Sequence, residues 1–148
     1  MTTSTAVSRW DRFRAPVSIF LGISYVAAGI PHFTHPGFYL PMMPPYLPWH
    51  LELIYISGLF EILGGIGLAL PVTRRAAGWG LIALLVAVFP ANIHIVMHDV
   101  QLTEAPINPI AMWLRLPMQA VFIALVWWTA GLSRPVASDD NPPASAPP

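Results

Sequence analysis

The chain has no cysteine and no lysine, and only 9% of its 148 residues are charged. Without cysteine it can form no disulfide, hold no metal through thiolate and relay no electrons through thiols of its own. Without lysine, and with a formal net charge of zero, it offers neither a nucleic-acid surface nor a polybasic patch for anionic lipid. It has no phosphate-binding glycine loop, nucleophile elbow or HExxH motif, so hydrolase and kinase chemistries have no support. What it has is apolar: 55% hydrophobic residues and a mean hydropathy of +0.61 leave too little polar surface to coat a water-soluble ball.

Four apolar runs, near residues 15–34, 51–70, 76–98 and 108–131, each meet the roughly 20 residues needed to cross about 30 Å of hydrocarbon. They predict an all-α integral membrane protein, an antiparallel four-helix bundle over 15–131. A cytoplasmic lead occupies 1–14, and a tail over 132–148, rich in Pro, Ala, Ser and Asp, reads as disordered. Arg9, Arg12, Arg14, Arg74, Arg75 and Arg134 fall at one set of helix ends, whereas His32, His35, His50, His94 and His98 fall at the other. The positive-inside bias then predicts both termini in the cytoplasm and the 35–50 and 99–107 connections outside. Basic residues before the first run and the small Ala27-Ala28-Gly29 also fit a cleaved signal. The continuity of His32-Phe33 with the following loop favours a retained helix.

The loop HPGFYLPMMPPYLPWH over 35–50 is too rich in proline for regular helix or central strand and too apolar to float in water. It reads as a cap over the outer helix ends, with Tyr39, Tyr46 and Trp49 at the interface. Trp10 and Phe13 read as anchors on the opposite side, and Trp113, Trp127 and Trp128 as membrane belts. Pro90 and Pro117 each free a backbone carbonyl one turn earlier for another partner.

Few polar residues interrupt the runs. Glu61 lies about ten residues into the second, near the bilayer midplane, where a carboxylate is costly unless protonated or paired. Ser57 is one turn away, and Gly58, Gly64 and Gly65 let another helix approach closely. Arg115 in the fourth run, with Gln119 on the same face, is the expected partner of Glu61. His94 and His98 share a face of the third run, with Asn92 about 160° away. With His32 these residues form an expected outer-half cluster of His32, Ser57, Glu61, His94, His98, Arg115 and Gln119, and Asn92 is a further candidate for ligand binding or the polar core. It reads either as internal glue that fixes helix register or as a ligand site, such as one for a quinone headgroup. No metal is expected: His94 and His98 are the weak candidates, since an i, i+4 pair is necessary but not sufficient geometry.

The set GIPHF at 29–33, PMMPPYLP at 41–48, SGLFEILGGIGLALP at 57–71, VFPANIH at 88–94 and RLPMQ at 115–119 resembles the DoxX-like family of small four-helix bacterial membrane proteins. The likeness spans roughly residues 15–131 and includes His32, Pro44, Gly58, Glu61, Pro90, Asn92, Arg115, Pro117 and Gln119. That family takes its name from a membrane subunit associated with thiosulfate:quinone oxidoreductase. The resemblance implies a multi-pass protein of the bacterial inner membrane doing redox-linked work, as a quinone-interacting or accessory subunit with quinone as the possible cofactor. The expected partners are the lipid bilayer and either a redox enzyme or a second copy of the chain. A scaffold that docks other proteins and a small proton-coupled transporter are the alternatives.

Overall fold

The computed structural model describes residues 11–98, 100 and 108–133. Most of the expected lead, with Arg9 and Trp10, the connection over 99–107 apart from Val100, Arg134 and the tail from 134 onward lie outside the described residues. The described residues form five α-helices: α1 Asp11–Gly29, α2 Pro31–Thr34, α3 His50–Ala69, α4 Arg74–Met97 and α5 Pro109–Thr129. The described residues contain no strand. Four segments, Arg12–Thr34, His50–Ala69, Arg74–Met97 and Ile110–Thr129, are long and apolar enough to cross a membrane. Their outward faces carry Phe20, Ile23, Leu63, Trp79, Val86 and Leu114, all exposed, a continuous apolar surface that water does not tolerate on a soluble monomer.

Local chemistry sets the helix boundaries. Pro31 has no N–H to continue α1, so the first span breaks at Gly29–Ile30 and restarts as α2 with proline in its first turn. Leu70 precedes Pro71 and is driven to the extended region, ψ 125°, which ends α3. The Asn108 side chain accepts from the Ile110 N–H at 2.9 Å and caps α5 ahead of Pro109. At its other end, the Leu132 N–H reaches the Trp127 carbonyl and the Gly131 N–H reaches Trp128, each at 3.2 Å. Gly131 supplies the left-handed residue (φ 70°) that this closure requires.

Glycines fix the order of neighbours. A Cβ on Gly22 of α1 would stand 2.5 Å from the Gly65 carbonyl oxygen of α3, and one on Gly29 would stand 2.8 Å from that of Gly58. The numbers rise on one helix as they fall on the other, so α1 and α3 run antiparallel at backbone contact. Gly67 opposite Ala77 joins α3 to α4 in the same sense, and Gly78 opposite Ala130 joins α4 to the end of α5. The ring closes where α5 returns to α1. Each long helix thus packs on two others, while the backbones of α3 and α5 lie across the diagonal from each other without close approach. Leu21, Leu68, Leu81, Val126, Ala130 and Leu132 fill the centre toward the arginine end.

At that end the arginines hold helix C-termini. Arg14 Nε donates to the Trp128 carbonyl at 2.9 Å, Arg74 Nε to Leu68 at 3.0 Å and Arg75 Nη1 to Gly131 at 2.8 Å. These carbonyls lie at the negative ends of the helix dipoles, where cations are stabilising. At the opposite end the proline-rich loop forms two 3-10 turns, Pro36–Phe38 and Leu40–Met42. It inserts Met42 against Ile95 of α4 and Met112 of α5. His50 Nε2 donates to the Pro44 carbonyl at 3.1 Å and latches the loop to the start of α3.

Candidate functional site

The eight expected site residues do not form one cluster; the structure divides them into three groups and leaves Arg115 apart. In the first group, Ile54, Ser57, Gly58 and Glu61 recur every three to four residues and so form one stripe of α3. Tyr25, Gly29 and His32 form the matching stripe on α1 and α2. Because Gly58 has no side chain, the His32 Cβ packs directly on its Cα. That close approach is what carries an imidazole from the first span to the acid of the second.

The His32 ring is fully oriented. Nδ1 lies 2.9 Å from the Ile54 carbonyl and 3.0 Å from Ser57 Oγ, while the Ser57 hydroxyl donates to the same carbonyl at 2.8 Å. A carbonyl only accepts, so Nδ1 carries the hydrogen. Nε2 is left facing Glu61, 3.6 Å from Oε2. A single proton held by either group would leave the pair net neutral. Tyr39 of the loop stacks on the other face of the imidazole, with centroids 4.0 Å apart and planes at 29°.

Two buried polar atoms beside this pair have no hydrogen-bond partner among the described residues: Glu61 Oε2 and the hydroxyl of Tyr25, one turn before Gly29.

The expected Glu61–Arg115 pair is not formed, which corrects the sequence reading. Arg115 is exposed and makes no hydrogen bond or ion pair among the described residues. The physical reason is topological: α3 and α5 are diagonal, and Arg115 lies only six residues into α5 whereas Glu61 lies eleven into α3. That is a depth difference of roughly 7 Å at 1.5 Å per residue. His32 is the adjacent titratable group instead, with Nε2 3.6 Å from Glu61 Oε2.

The second group joins α4 to α5. Asn92 Nδ2 donates to Gln119 Oε1 at 2.9 Å, and Gln119 Nε2 donates to the Leu85 carbonyl. Leu85 adjoins Val86, whose carbonyl loses its helical partner to Pro90. The third group is His94 and His98, whose rings lie tilted against each other near the surface with centroids 4.3 Å apart. No three His, Asp or Glu side chains come together to hold a metal among the described residues. Two apolar grooves of about 380 and 410 Å³ run along α1–α3 and α3–α4, lined by residues such as Gly22, Gly65, Gly64 and Ala77. Neither reaches His32 or Glu61, so the cluster is a packed seam rather than a lining of either groove.

Tyr25 and Tyr39 were not among the expected site residues. Tyr25 carries a signal in the sequence, a phenol in mid-span two turns before His32. Tyr39 carries none, because its place depends on how the loop folds. Burial, and then the negative charge of Glu61, push the Tyr39 phenol above its ordinary value of 10.0, while Arg115 opposes the rise. Since the folded value is the higher one, the stability linked to the neutral phenol is intact below pH 10 and declines above it. In a spectrophotometric titration, Tyr39→Phe should delete a component ionising above pH 10. Arg115→Gln should move that component further up; an unmoved component would show that Arg115 does not act on it.

Residues 21–130 match the model of a family described as Domain of unknown function (DUF8561), a stretch that includes all eight expected site residues. Nothing in that match links the chain to the DoxX-like proteins. No curated protein and no solved structure matches it.

Proposed function

We propose, for a chain that belongs to the DUF8561 family of unknown function, a role as an integral membrane protein whose His32–Glu61–Tyr25 seam binds a quinone headgroup in the service of a redox partner. The observation that carries this reading is the pair of partnerless buried atoms. A buried polar group without a hydrogen bond costs about 1–3 kcal/mol, and these two offer what a quinone carbonyl accepts: the Tyr25 O–H and, when the carboxyl is protonated, the Glu61 O–H. His32 Nε2 stands behind Glu61 as the proton's other seat. Electrons would come from the partner enzyme; this chain would supply the hydrogen bonds and one exchangeable proton. The resemblance to DoxX-like proteins supports the same redox-linked work.

The test is purification in native lipid followed by extraction and mass spectrometry. The reading expects a quinone at near one per chain, and a rise in the thermal midpoint when a short-chain quinone is added to delipidated protein. Absence of both defeats it. One observation favours a second reading, a non-enzymatic scaffold: the His32 bonds to Ile54 and Ser57 tie α2 to α3. On that reading the cluster only fixes register, and the chain serves as a dock for other proteins.

We place the arginine end in the cytoplasm of a bacterial inner membrane, because arginines are retained on that side. The cysteine-free chain allows a clean test with single reporters. A Cβ on Gly37 meets nothing within 4 Å, so Gly37→Cys should be tolerated and react with an impermeant maleimide on intact spheroplasts. Ser133→Cys should react only after permeabilisation. The reverse pattern would invert the assignment.

A further inference from the structure

We propose that His94 and His98, at the C-terminal end of α4, form a two-imidazole surface site for a borderline divalent transition metal such as Zn²⁺, Cu²⁺ or Ni²⁺, separate from the His32–Glu61 seam. Four observations converge on it. The two residues are i, i+4 neighbours, and their rings already lie together, centroids 4.3 Å apart and planes at 36°. Two imidazole nitrogens at about 2.0–2.1 Å on a tetrahedral ion stand roughly 3.4 Å apart. The ring centroids, 4.3 Å apart, are separated by a distance of the same order as that spacing.

The tautomer of His98 is also settled. Its Nδ1 lies 3.1 Å from the His94 carbonyl, so Nδ1 bears the hydrogen and Nε2 holds the free lone pair. A ring N–H spent on a backbone carbonyl is the usual outer-shell arrangement of a metal-bound histidine, since it fixes the ring and raises the basicity of the ligating nitrogen. His98 is the residue on which α4 ends, its own N–H bonded to the His94 carbonyl, so the site sits where the last carbonyls of the helix favour a positive charge.

The pair is reachable from water as well. His98 is exposed, His94 half-buried and Met97 between them 73% exposed. Nothing in the seam around Glu61 needs to move for an ion to bind. Imidazole selects these borderline ions over Mg²⁺ and Ca²⁺, which prefer oxygen. With two protein ligands the remaining positions go to water, so binding is exchangeable.

The experiment uses the full chain, without a histidine tag, in detergent free of chelator. With one equivalent of Cu²⁺, electron paramagnetic resonance of the unsubstituted protein should show superhyperfine coupling to two nitrogens, which needs no variant. Isothermal titration with Zn²⁺ should give one site per chain, weakened at least tenfold in His94→Gln and in His98→Gln but unchanged in His35→Gln. Far-UV circular dichroism checks that each variant is folded. A copper spectrum with oxygen ligands alone or a single nitrogen overturns the proposal, as does a two-nitrogen spectrum or Zn²⁺ binding that survives both His94→Gln and His98→Gln.

Discussion

Gly65→Leu is expected to abolish the folded state in detergent, or to lower the unfolding midpoint in a sodium dodecyl sulfate titration more than any surface change in the spans. Even the first atom of a side chain here meets backbone: a Cβ on Gly65 would stand 2.5 Å from the Gly22 carbonyl oxygen and 3.0 Å from the Val26 nitrogen. Backbone cannot rotate away as a side chain does, so the two helices must separate. Overpacking typically costs about 1–3 kcal/mol and occasionally more, and this position belongs at the upper end. Separation of α1 from α3 would also draw His32 off Gly58, two turns further along the same seam. Gly80→Leu is the control, because a Cβ there meets nothing within 4 Å. If Gly65→Leu unfolds no more readily than Gly80→Leu, the glycine seam is not what joins these helices.

Tyr25→Phe is expected to move two measurements in opposite directions. Without ligand, the substitution removes a buried hydroxyl that has no partner and keeps the ring that packs on the core. The delipidated protein should therefore gain about 1 kcal/mol, the desolvation cost no longer incurred. With a short-chain quinone, the same substitution removes one of the two donors proposed for the headgroup. Affinity should fall about tenfold, which corresponds to roughly 1.4 kcal/mol. Thermal denaturation at a series of quinone concentrations reads both effects at once. A purely structural tyrosine would give a change in the unliganded midpoint and an unchanged response to quinone, and that outcome would favour the scaffold reading.

The sequence made some of this architecture legible and concealed the rest for identifiable reasons. Helix ends are written locally: Pro31, Pro71, Asn108-Pro109 and Gly131 each act through their own backbone, so the spans follow from composition and punctuation. Gly58, Gly64 and Gly65 announce close approach, but only coordinates show that Gly58 and Gly65 meet α1 while Gly64 meets Leu81 of α4. The partner of Glu61 was not legible, because periodicity gives each helix a face and a depth but not its neighbours. Arg115 has the right charge and sits on the diagonal helix; His32 lies beyond a helix break at Ile30 and becomes the partner only because Gly58 yields the room. The arginines illustrate a related ambiguity. Arg14, Arg74 and Arg75 suit a positive-inside orientation, and the same three side chains hold helix C-terminal carbonyls, a role that composition does not reveal.

The pairing of Glu61 with His32 rather than Arg115 is the claim on which the proposed site rests, and solid-state ¹⁵N NMR of histidine-labelled protein in lipid tests it most directly. His32→Gln assigns the His32 ring signals among the five histidines. Glu61→Gln should then shift the His32 Nε2 resonance strongly, because the group that shares its proton is gone, while Arg115→Gln should leave it in place. A His32 signal indifferent to Glu61→Gln, or one that responds to Arg115→Gln instead, would contradict the account.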